Sequence, residues 1–410
     1  MVRFTRRFAP VILLLGVATA APAAQGSRYL YVWAMQTHEP STAKPPAASM
    51  GRDFLAVFDV AEGSNEFGRL VSMLPVGAGA QMAHHTNYSM PEGGHIFASD
   101  YMSGDAYVLD VRDPTRPKLA ASFAAAGQYT HPHSFERLAN GHTLATYQFK
   151  GPPDEAAGAL VELDDAGRVL RASDASDPDV ETFIRPYSLQ VVSRLDRVVT
   201  TSADMLPADQ SSHVLQVWRL SDLKRIRTIR LAKAPHYTDI VDRNAAEPRL
   251  LDDGETVLAV TSNCGLYRVA GLAGDDPYTE FIYDFGARAC GVATVVGHFW
   301  VQTLMSAHEI TSLDVSDPAH PKVAGRLTLK GDALPHWIAH EPGGNRLVIT
   351  GFGWLTTHVL FATIDTTSGA LTLAARQIDF DRKWPDGWSG TAMPHGAIFG
   401  NPSGSAGAGE

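Results

Sequence analysis

The chain has only two cysteines, Cys264 and Cys290, in 410 residues. So sparse a set excludes a disulfide-framed mini-domain and a cysteine-rich zinc module. No Cys-x-x-Cys, no His-Glu-x-x-His and no Gly-rich phosphate loop occurs. Those absences remove thioredoxin-like redox chemistry, zincin proteolysis and P-loop nucleotide hydrolysis. Gly-x-Ser-x-Gly is missing from any strand–turn–helix context, so a hydrolase in this chain lacks a nameable nucleophile–base pair. Positive charge is also in deficit: 34 Lys and Arg against 44 Asp and Glu give a net charge of -10. A nucleic-acid footprint and a polybasic membrane patch are both excluded on that count. Beyond the N-terminus no apolar run reaches the ~20 residues of a membrane span. No helical periodicity extends past one or two turns, which leaves an all-β chain.

The N-terminus has a different character. Arg3, Arg6 and Arg7 precede the apolar run Ala9–Ala20, and Ala21-Pro22-Ala23-Ala24 supplies small residues for cleavage. Residues 1–24 therefore read as a secretory signal peptide, with Arg6-Arg7 leaving twin-arginine export open beside the general route. The mature protein is expected to be secreted or periplasmic. Residues 25–400 read as one domain, and 401–410 as a disordered Gly/Ser/Ala tail.

What is present is a repeat. Pro132-His133, Pro235-His236, Pro335-His336 and Pro394-His395 each open a short β-like run. Pro186-Tyr187-Ser188, Ala289-Cys290-Gly291 and Ala83-His84-His85-Thr86 fit the same slot without the full dipeptide. The marks fall at residues 85, 133, 187, 236, 290, 336 and 395, intervals of roughly 46–59 residues. Seven copies of a β-rich unit predict a seven-bladed β-propeller. Glycine turns follow the slots, including Asn140-Gly141 and Pro342-Gly343-Gly344-Asn345. A second echo supports the repeat: Leu109–Pro117 and Leu313–Pro321 agree at six of nine positions. The last slot has too little chain after it for a whole blade. The strand predicted at 28–35 is expected to complete it, closing the ring by pairing the two chain ends.

Equivalent points of the blades face one axis, so imidazoles from distant segments should converge there. His84, His85, His133, His236, His336 and His395 are the candidate metal ligands, since neutral imidazole is the commonest protein ligand. A nitrogen-rich set would bind copper or zinc and does not separate the two. Glu136, Asp239 and His340 lie three or four residues past a slot and are candidates for orienting the imidazoles. His95, His142, His298, His308, His320 and His358 are assigned to strands or outer loops, while His131 and His213 stay undecided. Three roles stay open for the cysteines: a mutual disulfide, a Cys290 thiolate ligand in its slot, or a buried apolar thiol.

The slot motifs resemble the selenium-binding protein family, which includes the bacterial methanethiol oxidases. The matching pieces are Ala83-His84-His85-Thr86-Asn87, Pro132-His133-Ser134, Thr238-Asp239-Ile240 with Leu251-Asp252-Asp253-Gly254, and Pro394-His395-Gly396-Ala397. Glu136 stands where that family carries a second histidine, and its selenium-associated cysteine upstream of the His-His pair is absent. The resemblance implies a seven-bladed propeller with copper at the histidine cluster. It also implies oxidation of methanethiol to formaldehyde, sulfide and peroxide. The expectation is thus an exported copper-dependent oxidase of a small thiol. The rival reading is a non-catalytic propeller that binds a metal or a protein partner.

Overall fold

The computed structural model describes residue 1 and residues 26–37, 50–77, 82–151, 156–181, 183–204, 212–234, 243–331, 333–351 and 356–401. The expected signal peptide beyond Met1, the expected tail beyond Asn401, and both His236 and Asp239 lie outside the described residues. The described chain forms seven four-stranded antiparallel sheets and one two-stranded ribbon, Arg382–Lys383 with Ser389–Gly390. This is the seven-bladed propeller that the repeat predicts.

Blade 1 runs outward through Ala83–Thr86, His95–Asp100, Ala106–Asp110 and Lys118–Phe123. Blades 2 to 6 repeat the plan, with inner strands Tyr129–Arg137, Pro186–Val192, Ala245–Leu250, Cys290–Val296 and Pro335–His340. Blade 7 takes its inner strand, Ala392–Gly400, from the C-terminus and its outer three from the N-terminus: Tyr29–Thr37, Met50–Asp59 and Leu70–Val76. Tyr29 pairs with Gly400 and Gln36 with Ala392, so the chain ends close the ring as expected. Each inner strand touches the next around the circle, including Ala392–Gly400 against Ala83–Thr86.

Both faces of every blade are buried, and that is why its central strands read as nearly continuous apolar runs. In Tyr29–Thr37, Leu30, Val32 and Ala34 face blade 6 while Tyr31, Trp33 and Met35 face blade 1. The apolar residues form seven clusters, one for each interface between neighbouring blades. Outermost strands are different: Lys118–Phe123 and Lys322–Thr328 are mostly exposed. Their charged residues protect the sheet edge from pairing with another chain. The two echoed segments end the third strand of blades 1 and 5. Asp110 and Asp314 accept from the backbone N–H two residues on, turning the chain toward the fourth strand.

Cys264 and Cys290 form a disulfide, joining a turn of blade 4 to the head of blade 5. The thiolate-ligand option for Cys290 is thereby corrected, because a disulfide sulfur has no thiolate to offer a metal. Closing a loop with a sequence separation of 26 stabilises by about 3.5 kcal/mol in the chain-entropy account.

One buried ion pair locks the closure. Arg346 of blade 6 donates to Glu341 through Nε at 2.7 Å and Nη2 at 2.5 Å. Its other bonds reach the carbonyls of Val60 at 2.6 Å and Ser27 at 2.8 Å, both at the N-terminal side of blade 7. Glu341 in turn accepts from Ser27 N–H. Replacing Arg346 with methionine strands a buried carboxylate and two carbonyls. A stability loss of about 3–5 kcal/mol is expected in urea unfolding. Replacing both partners by Leu and Met should recover at least half of that loss.

Candidate metal centre

The site begins with a backbone irregularity repeated in every blade. In blade 2, Pro132 pairs with Tyr147 and Phe135 with Ala145, so two residues, His133 and Ser134, oppose one. The same one-residue excess recurs in blades 1, 3, 4, 5, 6 and 7. Such a bulge bends the strand and re-aims the side chains beside it. Aligning the seven bulges gives the residues at equivalent points of the ring: His84, His133, Tyr187, Ala246, Gly291, His336 and His395. Histidine thus occupies four consecutive blades, 6, 7, 1 and 2. His85 stands one residue further in, at the level of Ser134, Ser188 and Glu247.

Five of the six candidate ligands therefore meet. Ring centroids lie 4.4 Å apart for His84 and His85, 4.9 Å for His84 and His133, and 4.2 Å for His85 and His133. His395 is 4.6 Å from His84 and 4.7 Å from His336. All five are buried, at most 7% exposed. Slot position in blade 4 needs a correction. Its inner strand is Ala245–Leu250, and the equivalent residue is Ala246, not His236. The spacing carried this information: the slot histidines of blades 1, 2 and 6 precede their turn glycines, Gly93, Gly141 and Gly343, by nine, eight and seven residues, whereas His236 precedes Gly254 by eighteen. In blade 5 the slot residue is Gly291, one past Cys290.

Burial, and then the like charge of neighbouring rings, holds His84, His85 and His395 well below the usual imidazole range. Burial also pushes His133 down to about 3 and His336 to about 4. At neutral pH all five rings are uncharged, the form that binds a metal. His133 Nδ1 donates to the Tyr187 carbonyl at 2.6 Å. That bond fixes the tautomer and leaves Nε2 with a free lone pair. His133 Nε2 lies 3.0 Å from His84 Nε2. His85 Nδ1 faces Ser134 Oγ at 3.3 Å and the Tyr88 hydroxyl at 3.4 Å. His84 Nδ1 and His85 Nε2, both buried, have no hydrogen-bond partner among the described residues.

The donor set fits a transition metal. One nitrogen from each of His84, His85 and His133 falls within 4.8 Å of the other two. Nitrogens bound to one ion at about 2.0–2.1 Å would be separated by up to about 4 Å, so small ring rotations suffice. His336 and His395 complete the wall, and Met305 Sδ lies 3.4 Å from His336 Nδ1.

The residues that support the rings differ from those expected. Glu136 accepts from Val191 N–H at 2.8 Å and Gln190 Nε2 at 3.1 Å, and burial pushes it up to about 7. His340 Nε2 bonds the Gly344 carbonyl at 2.9 Å. A strand advances about 3.3 Å per residue, so three or four residues past the slot lie near the other end of the channel. The supports are instead the Tyr187 carbonyl, Ser134, Tyr88 and Met305. Tyr88 crosses the axis. Its hydroxyl donates to Glu247 at 2.8 Å and lies 2.9 Å from Ser188 Oγ, while its ring stacks on Trp337 at 5.1 Å. Arg249 covers the opposite ring face at 3.8 Å. A backbone carbonyl has no sequence signal, but Tyr88 was visible in His84-His85-Thr86-Asn87-Tyr88.

On the side of blades 4 and 5 the wall recedes. A cavity of about 260 Å³ opens there, bordered by His84, His336, Tyr101, Tyr187, Ala246 and Gly291. Other histidines lie elsewhere: His95 pairs with Asp165, His142 with Glu162 and His320 with Asp317. The undecided His131 takes a positive φ of 58° and packs edge-on against Phe149.

No family model matches the sequence, and no curated protein does. Solved structures do. The chain is similar to a hypothetical selenium-binding protein from Sulfolobus tokodaii, with TM-score 0.70 and 15% identity over 92% of this chain and 94% of that one. It is also similar to a periplasmic gluconolactonase from Pseudomonas aeruginosa, with TM-score 0.62 and 11% identity over 90% and 99%. At these identities the likeness is one of fold.

The neutral rings make stability depend on acid. Between pH 6.5 and about 4 the unfolded chain holds a proton on His336 that the folded state refuses. Folding stability therefore falls as pH drops through that window, by about 1.4 kcal/mol per unit for this residue. In metal-free protein, the stability gap between wild type and His336→Gln should narrow by about 2–3 kcal/mol from pH 6.5 to 4.5. Urea unfolding at the two pH values measures it, and a constant gap would contradict a neutral His336.

Proposed function

We propose that this chain is an exported copper-dependent oxidase of a small thiol, with copper held by His84, His85 and His133 and flanked by His336 and His395. The observation that carries the reading is the buried, uncharged imidazole cluster, with ligating atoms within 4.8 Å of one another, bordering a cavity large enough for a small molecule. Imidazole nitrogens beside a thioether suit copper, and zinc is the competing metal. The name of the selenium-binding structural neighbour supports chalcogen binding at this site, and the periplasmic neighbour supports export of this chain. The apolar leader at 1–24 supports the same compartment.

Bound copper would supply a Lewis acid for the thiol sulfur and an acceptor for its electrons. The protein's own residues do the rest. Tyr187 and Ser134 hold His133 and His85 in fixed orientations. Tyr88, wedged between Trp337 and Arg249, seals the axis beneath the rings and leaves the cavity as the approach. Desolvation keeps the imidazoles neutral and therefore ready to bind.

Metal analysis of protein purified from the periplasm tests the site. Copper near one equivalent is expected, with at least a tenfold loss in His84→Ala/His133→Ala. Oxygen uptake with methanethiol tests the activity, and the same double variant should abolish it. Copper retained by the variant would overturn the ligand set. Copper bound without oxygen uptake would instead favour a metal-binding propeller without catalysis.

A further inference from the structure

The cavity beside the imidazoles is built by the three slots that lack histidine. Tyr187 walls one side, and the two smallest slot residues, Ala246 and Gly291, form the recess. Gly291 takes no side chain: a Cβ there would meet the His336 carbonyl oxygen at 2.2 Å and Thr303 Oγ1 at 2.8 Å. Close backbone approach thus accounts for Gly291. Ala246 borders the cavity.

The recess is too large for methanethiol. Its 260 Å³ corresponds to about nine waters at ~30 Å³ each, whereas methanethiol has two heavy atoms. Occupied by so small a molecule, the cavity would stay mostly wet, and little apolar area would be removed from water. The boundary is also mixed in a directed way. Tyr101 and Tyr187 present rings, Val292 and Met305 add apolar surface, and Asn244, Ser262, Asp204 and Glu247 contribute polar groups. Tyr101 stands edge-on to His84 at 5.4 Å and Tyr187 packs on His133 at 4.0 Å, so both rings adjoin the proposed metal position.

We propose that the substrate is a thiol with a flat apolar body of benzyl size, its sulfur at the imidazoles and its ring over Ala246 between Tyr101 and Tyr187. Ala246 is then the residue that sets substrate size. This deepens the thiol-oxidase reading and rests on it for the position of the sulfur, but the fit of the body belongs to the cavity alone.

Calorimetric titration of metal-free protein separates the two ideas. Phenylmethanethiol should bind saturably and at least ~10-fold more tightly than methanethiol, because filling an apolar recess discriminates by about that much per group. Ala246→Phe should weaken phenylmethanethiol by ~10-fold or more while copper content stays at the wild-type level. In copper-loaded wild type the same preference should show as a lower KM for the larger thiol. Equal affinity of wild type for the two thiols would overturn the proposal, and needs no variant to fold. So would undiminished phenylmethanethiol binding by a folded Ala246→Phe. Failure to bind copper, with the thiol preference intact in metal-free protein, would instead count against the oxidase reading alone.

Discussion

Everything at the axis depends on one extra residue at the head of each inner strand. A regular antiparallel pair would send alternate side chains to the two blade faces, and both faces are already filled by the interfaces with neighbouring blades. The bulge breaks that alternation where the strand reaches the channel mouth. One position per blade is thereby released from interblade packing and turned toward the axis. Seven widely separated stretches of chain become one ring of side chains.

That ring is held by the walls around it. Each blade is clamped on two faces by apolar clusters, so an inner strand cannot shift without disturbing two interfaces. The closure is reinforced where the chain ends meet: Arg346 and Glu341 reach across from blade 6 to Ser27 and Val60. A covalent tie sits where side-chain packing at the axis is thinnest. Blades 4 and 5 carry Ala246 and Gly291 in their slots, and the Cys264–Cys290 bond joins those two blades. A cavity can persist there because its rim is held by backbone and disulfide rather than by filling.

Much of this was legible in the sequence, and the failures have physical causes. The Pro-His spacing carried the blade count, and the lone strand at 28–35 carried the closure, because both follow from chain length and strand pattern. Four slot histidines, with His85 next to the first of them, were readable because one bulge geometry recurs. In blade 4 the Pro-His dipeptide stands ten residues before the bulge, and the distance to the turn at Gly254 points to Ala246 instead. Glu136 and His340 misled because proximity along a strand was read as proximity at the axis, although each residue moves the chain about 3.3 Å away. Met305, the Tyr187 carbonyl and Tyr88 act across blades, and no local pattern encodes contacts between segments 31, 54 and 159 residues apart.

The ring also contains its own comparison between structural and chemical explanations of the histidines. If an imidazole were needed to finish a bulge or cap an inner strand, all seven blades would need one. Blades 3, 4 and 5 form the same bulge with Tyr187, Ala246 and Gly291. The backbone therefore asks nothing of the side chain. Four blades nevertheless carry a buried ring there, and His85 adds a fifth. Among the described residues His84 Nδ1 and His85 Nε2 lack partners, each costing about 1–3 kcal/mol in desolvation. A fold that is indifferent to the residue, and pays for the one it has, is poorly explained by stability. A cation shared among the rings would satisfy the lone pairs, use their neutral state and explain why the histidines are contiguous around the circle while the small residues are contiguous opposite them. The clustering of one chemistry on four neighbouring blades, facing an open recess on the others, is the asymmetry that a metal site with an approach for substrate requires and that a symmetric fold does not produce unaided.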